Sequence, residues 1–242
     1  MKRFALIGHP VAASQSPRLF AAAYDGRYPY DLVDEERFED AWQRFLSGYE
    51  GINVTAPFKR DAFNQVDLLS ERARRSGAVN LVVRTPEGLK GYNTDVAGVT
   101  EALRECGLPV SNALVIGTGG AARAAAVGAQ ELGCRVTLAG RSPEKGEALA
   151  RELDATFVPL SQVADLTPDL VLYTLPGSVP VPAGLPLAGA VVLEAEYKHP
   201  QLADAPCRAY VSGLRWLLYQ AVAGYELFIG EAPDTQKMAA LF

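Results

Sequence analysis

Apolar residues along this chain fall into two rhythms, and the rhythm changes near residue 95. Residues 4–7 form an apolar run stopped by Gly8 and Pro10, which predicts a short buried strand. Ser16-Pro17 reads as a helix start, with serine as the cap and proline at the first helical position, and this helix runs to about residue 24. Residues 28–33 alternate like a strand, and Phe38, Trp42 and Phe45 recur at helical spacing within 34–46. Residues 51–54 and 79–83 read as further strands. Pro86-Glu87-Gly88 is a turn, and 89–92 a return strand. A helix over 95–104 ends near Gly107-Leu108-Pro109. Beyond it the alternation is strict, with strands at 113–116, 135–139, 170–174 and 190–193 and helices at 121–132 and 143–153. That order predicts a parallel, doubly wound sheet. The Pro/Gly-rich stretch 176–187 reads as a surface loop. From Gly213, residues Leu214, Leu217, Leu218, Ala221 and Tyr225 follow a helical period, so the chain finishes on a helix.

Composition narrows the class. A chain of 242 residues, 49% hydrophobic, can bury the cores of two modest domains. A net charge of −5 argues against a nucleic-acid partner. Arg72, Arg74 and Arg75 cluster over too short a stretch to change that, and read as a solvated helix face. Cys106, Cys134 and Cys207 are odd in number and lack CxxC spacing, and His9 and His199 are the only histidines. Neither a disulfide framework nor a metal site is expected, and a reducing cytoplasm fits. The apolar run after Met1-Lys2-Arg3 stops too early for a signal peptide, and no run of about 18 apolar residues predicts a membrane span.

The sharpest local signal follows the strand at 113–116. Gly117-Thr118-Gly119-Gly120-Ala121-Ala122 is a G-x-G-x-x-A turn opening an alanine-rich helix. Gly117 permits the tight turn, Gly119 lets a pyrophosphate approach the backbone, and Ala122 lets the helix pack closely on the strand. The helix N-terminus offers N–H groups and positive potential to the anion. At the end of the next strand, an NAD enzyme places an acidic residue for the ribose hydroxyls. This chain has Gly140-Arg141-Ser142, then Lys145. Arg141 can pair with a 2′-phosphate and stack on adenine, with Ser142 and Lys145 adding contacts, so NADP is the cofactor expected.

Three segments before residue 99 concentrate polar side chains, each at the C-terminal end of a predicted strand, where open α/β sheets keep their ligands. They are Gly8-His9-Pro10-Val11-Ala12-Ala13-Ser14-Gln15-Ser16-Pro17, then Gly51-Ile52-Asn53-Val54-Thr55-Ala56-Pro57-Phe58-Lys59, and Gly77-Ala78-Val79-Asn80 with Gly91-Tyr92-Asn93-Thr94-Asp95-Val96-Ala97-Gly98. Together they resemble the signatures of the shikimate dehydrogenase family, as do the 117–123 turn and Gly213 with Gln220-Ala221. The resemblance spreads over most of the chain.

It implies a set of roles. Ser14 and Ser16 match the family's carboxylate-binding serines, a task that suits hydroxyl donors. Thr55, Asn80, Asp95 and Gln220 match positions that hold the ring hydroxyls, and Lys59 with Asp95 matches the catalytic pair. Gly117, Gly119, Gly120, Ala121, Ala122, Arg141, Ser142, Lys145 and Gly213 fall to the cofactor. Hydride transfer at a carbinol carbon needs a group that moves the hydroxyl proton. Lys59 acts as that base if its site lowers its pKa, or stays charged and polarises the oxyanion while Asp95 orients it. Taken alone, Lys59 is a loop lysine, Asp95 a helix cap beside Thr94 and Ser16 a helix cap before Pro17.

The chain also departs from the family pattern. Ala13 stands where histidine is frequent, Leu81 replaces a threonine and Tyr173 an asparagine. Leu175-Pro176-Gly177 is a shortened loop, and Glu194-Ala195-Glu196-Tyr197 replaces a segment that usually begins with aspartate, although Tyr197 itself matches. These changes crowd on the nicotinamide side.

The expected fold is α/β in two domains with a cleft between them: an N-terminal α/β substrate domain, 1–97 plus 213–242, and a Rossmann doubly wound parallel-sheet dinucleotide domain, 98–212. The expected protein is a cytoplasmic NADP-dependent shikimate dehydrogenase, a monomer or homodimer, with a small-molecule substrate and neither a nucleic-acid nor a membrane partner. Alternatives are a relative acting on quinate or another shikimate-like polyol acid, and a non-catalytic protein that binds the same ligands.

Overall fold

The computed structural model describes residues 2–242. The chain divides into two compact units, one of residues up to Thr94 with Gln220–Phe242, the other Asp95–Tyr219. Asp95, placed in the first domain by its motif, thus belongs by its packing to the second unit.

In the first unit the strands are β1 (Phe4–Gly8), β2 (Tyr30–Asp34), β3 (Gly51–Val54), β4 (Leu68–Leu69), β5 (Leu81–Thr85) and β6 (Gly88–Tyr92). They form one sheet in the order β2-β1-β3-β5-β6-β4. Pairing is parallel except that β5 runs antiparallel to both β3 and β6. β1 and β3 are buried at every residue because helices cover both faces. Ala5 and Ile7 face Trp42 and Phe45 of α2 (Phe38–Gly48). Phe4 points the other way, stacking on Phe228 at 4.8 Å, while Phe20 of α1 (Ser16–Ala23) meets Tyr225 edge-on at 4.8 Å. Phe228 and Tyr225 come from α8 (Gly213–Ile229), whose second half lies in this unit. A Cβ at Gly51 would fall 2.8 Å from the Phe228 ring, so glycine there lets the helix sit on β3.

Several sequence expectations shift here. The helix expected from 34 starts at Phe38, because Asp34 ends β2 and its carboxylate accepts the Val11 N–H. The strand expected over 79–83 is β5, two residues later; Val79 and Asn80 bond instead to Lys59 O and Tyr92 O. Ser16 is not a cap but the first helical residue, since the preceding Gln15 occupies the cap position. Three short elements escaped the periodicity: α3 (Lys59–Gln65), β4 and α4 (Glu71–Ser76). α4 carries the arginine cluster; Ser70 Oγ accepts the Ala73 N–H at its start, and Gly77 ends it at φ 61°. A final helix, α9 (Thr235–Ala239), packs on α1.

The second unit begins with α5 (Asp95–Cys106). Its sheet contains β7 (Asn112–Ile116), β8 (Arg135–Gly140), β9 (Thr156–Pro159), β10 (Leu170–Tyr173), β11 (Val191–Glu194) and β12 (Ala209–Val211). All pairs are parallel and the order is β12-β11-β10-β7-β8-β9. Counted from β7, this is the 3-2-1-4-5-6 order of the doubly wound dinucleotide fold, with its switch point between β7 and β10. β9 and β12, too short to show a period, were not expected. α6 (Gly120–Glu131) buries Ala122, Ala124, Ala125, Ala126 and Ala129, and α7 (Pro143–Glu152) follows β8. A Cβ on Gly128 would lie 2.8 Å from Val99 Cβ, so the small residues of α6 bring α5 close.

Candidate active site

In the first unit the reversed strand β5 explains how distant motifs reach one place. β1 and β3 end at the same edge of the sheet, with Gly8 closing β1 and Thr55 following β3. Because β5 is antiparallel to β3, Asn80 just before its start returns to that edge, where its carbonyl accepts the Val54 N–H at 2.7 Å. β6 reverses again and delivers Asn93 and Thr94 there. The expectation that every polar segment follows a strand thus fails for Asn80, which precedes β5, and the segment joins the others because β5 runs in reverse.

A chain of hydrogen bonds links these residues. Asn80 Oδ1 accepts the Thr94 N–H at 2.7 Å, and Asn80 Nδ2 donates to Thr94 Oγ1 at 3.0 Å. Thr94 Oγ1 donates to Gln220 Oε1 at 3.5 Å, bringing α8 to the same group. Asn53 Nδ2 reaches Asn80 O, while Asn53 Oδ1 accepts the Tyr30 phenol at 2.7 Å. Asn53, Asn80, Asn93 and Thr94 are all buried. The bonds of Asn53, Asn80 and Thr94 hold the sheet edge in one arrangement, whereas Asn93 donates Nδ2 to Ser76 Oγ and Ala78 O and leaves its buried Oδ1 without a partner among the described residues.

Ser14 and Ser16 stand together, with Oγ atoms 3.1 Å apart, and Ser14 Oγ also accepts the Ser16 N–H at 3.2 Å. The Ser16 carbonyl accepts the Tyr225 phenol at 3.1 Å. Burial raises the Tyr225 phenol pKa far above its ordinary value, so it remains a donor. The loop before Ser14 is tied to β2, where Asp34 accepts the Val11 N–H at 3.1 Å and lies 2.7 Å from His9 Nδ1. These contacts, the Val11 N–H first, hold the Asp34 carboxyl below its ordinary pKa. Peptide bonds His9–Pro10 and Ala56–Pro57 are both cis. Gly8 is packed too tightly for any side chain, since a Cβ would fall 2.4 Å from Thr55 Cγ2 and 2.9 Å from Ala56 O. Thr55 and Lys59 are half-buried, and Lys59 opens α3 with its carbonyl accepting the Val79 N–H at 3.0 Å. Tyr30, Asp34 and Tyr225 were not foreseen as supports; sequence offers only their places at a strand end or on a helical stripe.

In the second unit Asp95 is half-buried at the first turn of α5. Gly117 has φ 123° and a Cβ there would fall 2.4 Å from Thr174 Oγ1, which itself donates to Ile116 O. The turn therefore requires glycine. Gly119 precedes α6 with open space where its side chain would be, and Gly120, Ala121 and Ala122 begin the helix. Their N–H groups lack preceding-turn carbonyls. Arg141, Ser142 and Lys145 are exposed at the end of β8 and the start of α7. A Cβ on Gly213 would lie 2.6 Å from both Glu194 O and Ala195 O, so α8 starts in direct contact with the end of β11.

The departing residues of this unit hold one another. Glu194 is fully buried and accepts the N–H groups of Gln201 and Leu202 and the Tyr210 phenol, at 2.7, 3.1 and 2.9 Å. Glu196 accepts the N–H groups of Gly177, Lys198 and His199. Burial opposes ionisation of Glu196, but these donors outweigh it and hold its carboxyl below the ordinary value. Gln201 accepts from the Tyr173 phenol and donates to Gly177 O.

Among the described residues no group of His, Cys, Asp and Glu could hold a metal ion, and no helix is long and apolar enough to cross a membrane.

Comparison with known proteins supplies what geometry alone does not. Residues 6–82 match the family model described as the shikimate dehydrogenase substrate binding domain. The shikimate dehydrogenase (NADP(+)) of Acidiphilium cryptum is 39% identical over 94% of this chain and 90% of its own length. That of Thermus thermophilus is 35% identical over 98% of this chain and 96% of its own. The crystal structure of the Thermus thermophilus shikimate 5-dehydrogenase in complex with NADP(H) and shikimate superposes with a TM-score of 0.87 at 32% identity, covering 99% of this chain and 98% of that one.

Proposed function

The chain belongs to the shikimate dehydrogenase family, and from that premise we propose that it interconverts 3-dehydroshikimate and shikimate with NADP(H). The observation that carries this reading is the set of buried amides and paired serines on one sheet edge, in a chain 39% identical to an NADP-dependent relative. A featureless edge would need none of these polar side chains.

The dinucleotide residues fit the cofactor. The Gly117–Ala122 turn offers helix N–H groups with open space at Gly119 for a pyrophosphate, and Arg141, Ser142 and Lys145 are exposed for a 2′-phosphate. Gly213, where α8 starts against the end of β11, is assigned to the cofactor as well. When bound, NADP(H) supplies the hydride acceptor or donor.

The chain's own residues do the rest. Ser14 and Ser16 donate their hydroxyls to the substrate carboxylate. Thr55, Asn80, Gln220 and Asp95 orient the ring hydroxyls. As hydride leaves the carbinol carbon, the hydroxyl proton must leave too. Lys59 Nζ and the Asp95 carboxylate are the groups assigned to it, the lysine receiving the proton or stabilising the oxyanion that forms. Three free cysteines without a disulfide suit a reducing cytoplasm.

Incubation with shikimate and NADP, followed by NADPH absorbance, tests the reading directly. Folded protein giving no absorbance overturns it, and a higher kcat/KM for quinate moves the assignment to that substrate. The cofactor choice has its own test. Arg141→Ala lowers kcat/KM for NADP about 10- to 100-fold, the scale of one or two lost charge-assisted hydrogen bonds, and leaves the value for NAD little changed. Equal losses with both cofactors would remove Arg141 from 2′-phosphate recognition.

A further inference from the structure

Two consecutive crossover loops of the second unit leave the switch-point side of the sheet, and both are braced by carboxylates. In a doubly wound sheet the dinucleotide lies outside the carboxyl ends of the strands, one half on each side of the switch point. The glycine turn after β7 and Arg141 after β8 put the phosphates and adenosine on one side. The remaining half falls to the ends of β10 and β11, where the segments 174–177 and 195–202 begin.

Those segments carry no secondary structure that would hold them. Their geometry comes from side chains. Glu196 joins them directly, since one carboxylate oxygen accepts the Gly177 N–H at 3.2 Å and the other the Lys198 and His199 N–H groups at 2.7 and 3.3 Å. Gln201 joins them again, reaching Gly177 O at 3.1 Å and Tyr173 Oη at 3.3 Å. Glu194, buried below, anchors the far end through Gln201 N and Leu202 N.

We propose that Glu194, Glu196 and Gln201 are positioning residues that together fix these two loops as the nicotinamide half of the cofactor site. The inference rests on the NADP reading above. A carboxylate is required at 196 because both of its oxygens accept. An amide presents one acceptor and one donor, so Glu196→Gln turns an N–H against either Gly177 or the 198–199 turn and releases one loop.

Calorimetric titration of the whole protein with NADP and with adenosine 2′,5′-bisphosphate tests this. The second probe has the adenosine and 2′-phosphate but no nicotinamide. In Glu196→Gln the Kd for NADP rises about 10-fold while that for the bisphosphate is unchanged. Gln201→Ala, at an exposed position, moves the same way if Glu196→Gln fails to fold. Asp169→Asn is the control. Asp169 also accepts three bonds, from Ser111 N, Ser111 Oγ and Asn112 N, but at the opposite edge of the sheet, so the variant loses stability and keeps both Kd values. Equal changes for both probes, or none for NADP, overturn the proposal and leave the NADP reading standing. Failure of the unaltered protein to bind either probe overturns both.

Discussion

Lys59→Ala lowers kcat for shikimate oxidation by about 100-fold or more, the usual scale for losing an acid–base group, while KM for shikimate moves little. The split follows from where the lysine is assigned to act. Substrate affinity is assigned to Ser14 and Ser16, whose hydroxyls bond each other, and to Asn80 and Gln220, which meet through Thr94. The bond that ties this turn to the 77–80 segment is made by the Lys59 carbonyl and survives truncation. Steady-state kinetics with unchanged circular dichroism check this. An unaltered kcat removes Lys59 from the mechanism. A pH profile that flattens in the variant marks the lysine as the base, whereas a parallel drop at every pH marks it as a charge stabiliser.

Gly213→Ala costs about 3 kcal/mol of stability, at the upper end for overpacking, and lowers NADP affinity with it. The two oxygens that a Cβ would meet at 2.6 Å are backbone carbonyls at the end of β11, and backbone cannot swing aside as a side-chain tip can. Either the first turn of α8 or the strand end must move. Urea titration of the variant with and without NADP separates the effects, since a bound ligand restores stability only where its site survives. A variant as stable as the parent, binding NADP equally well, means that the contact relaxes at no cost.

Much of this was legible in residues. The dinucleotide turn showed itself because Gly117 must adopt a positive φ and Ala122 must be small, and both demands leave marks on sequence. The strict strand–helix alternation after residue 112 gave the parallel sheet. What stayed hidden had physical reasons. β4, β9 and β12 have two to four residues, too few for any period to show. Ser16 reads as a cap beside Pro17, yet its hydroxyl is drawn to Ser14 and its carbonyl to Tyr225, a residue 209 positions away. Glu194 and Glu196 looked like losses from a pattern. Their value lies in which N–H groups they accept, and these come from a loop whose path no propensity dictates.

The two seams between the compact units have a consequence for engineering. A chimera that exchanges the dinucleotide unit as a cassette must be cut at Thr94/Asp95 and at Tyr219/Gln220. Both cuts fall within the motifs, the first inside Asn93-Thr94-Asp95 and the second beside Gln220. Grafting a foreign cassette therefore replaces Asp95 with whatever residue the donor enzyme carries and resets the register of α8 at the residue before Gln220. Cofactor preference in this scaffold is better altered by point changes at Arg141, Ser142 and Lys145, which lie far along the chain from either junction.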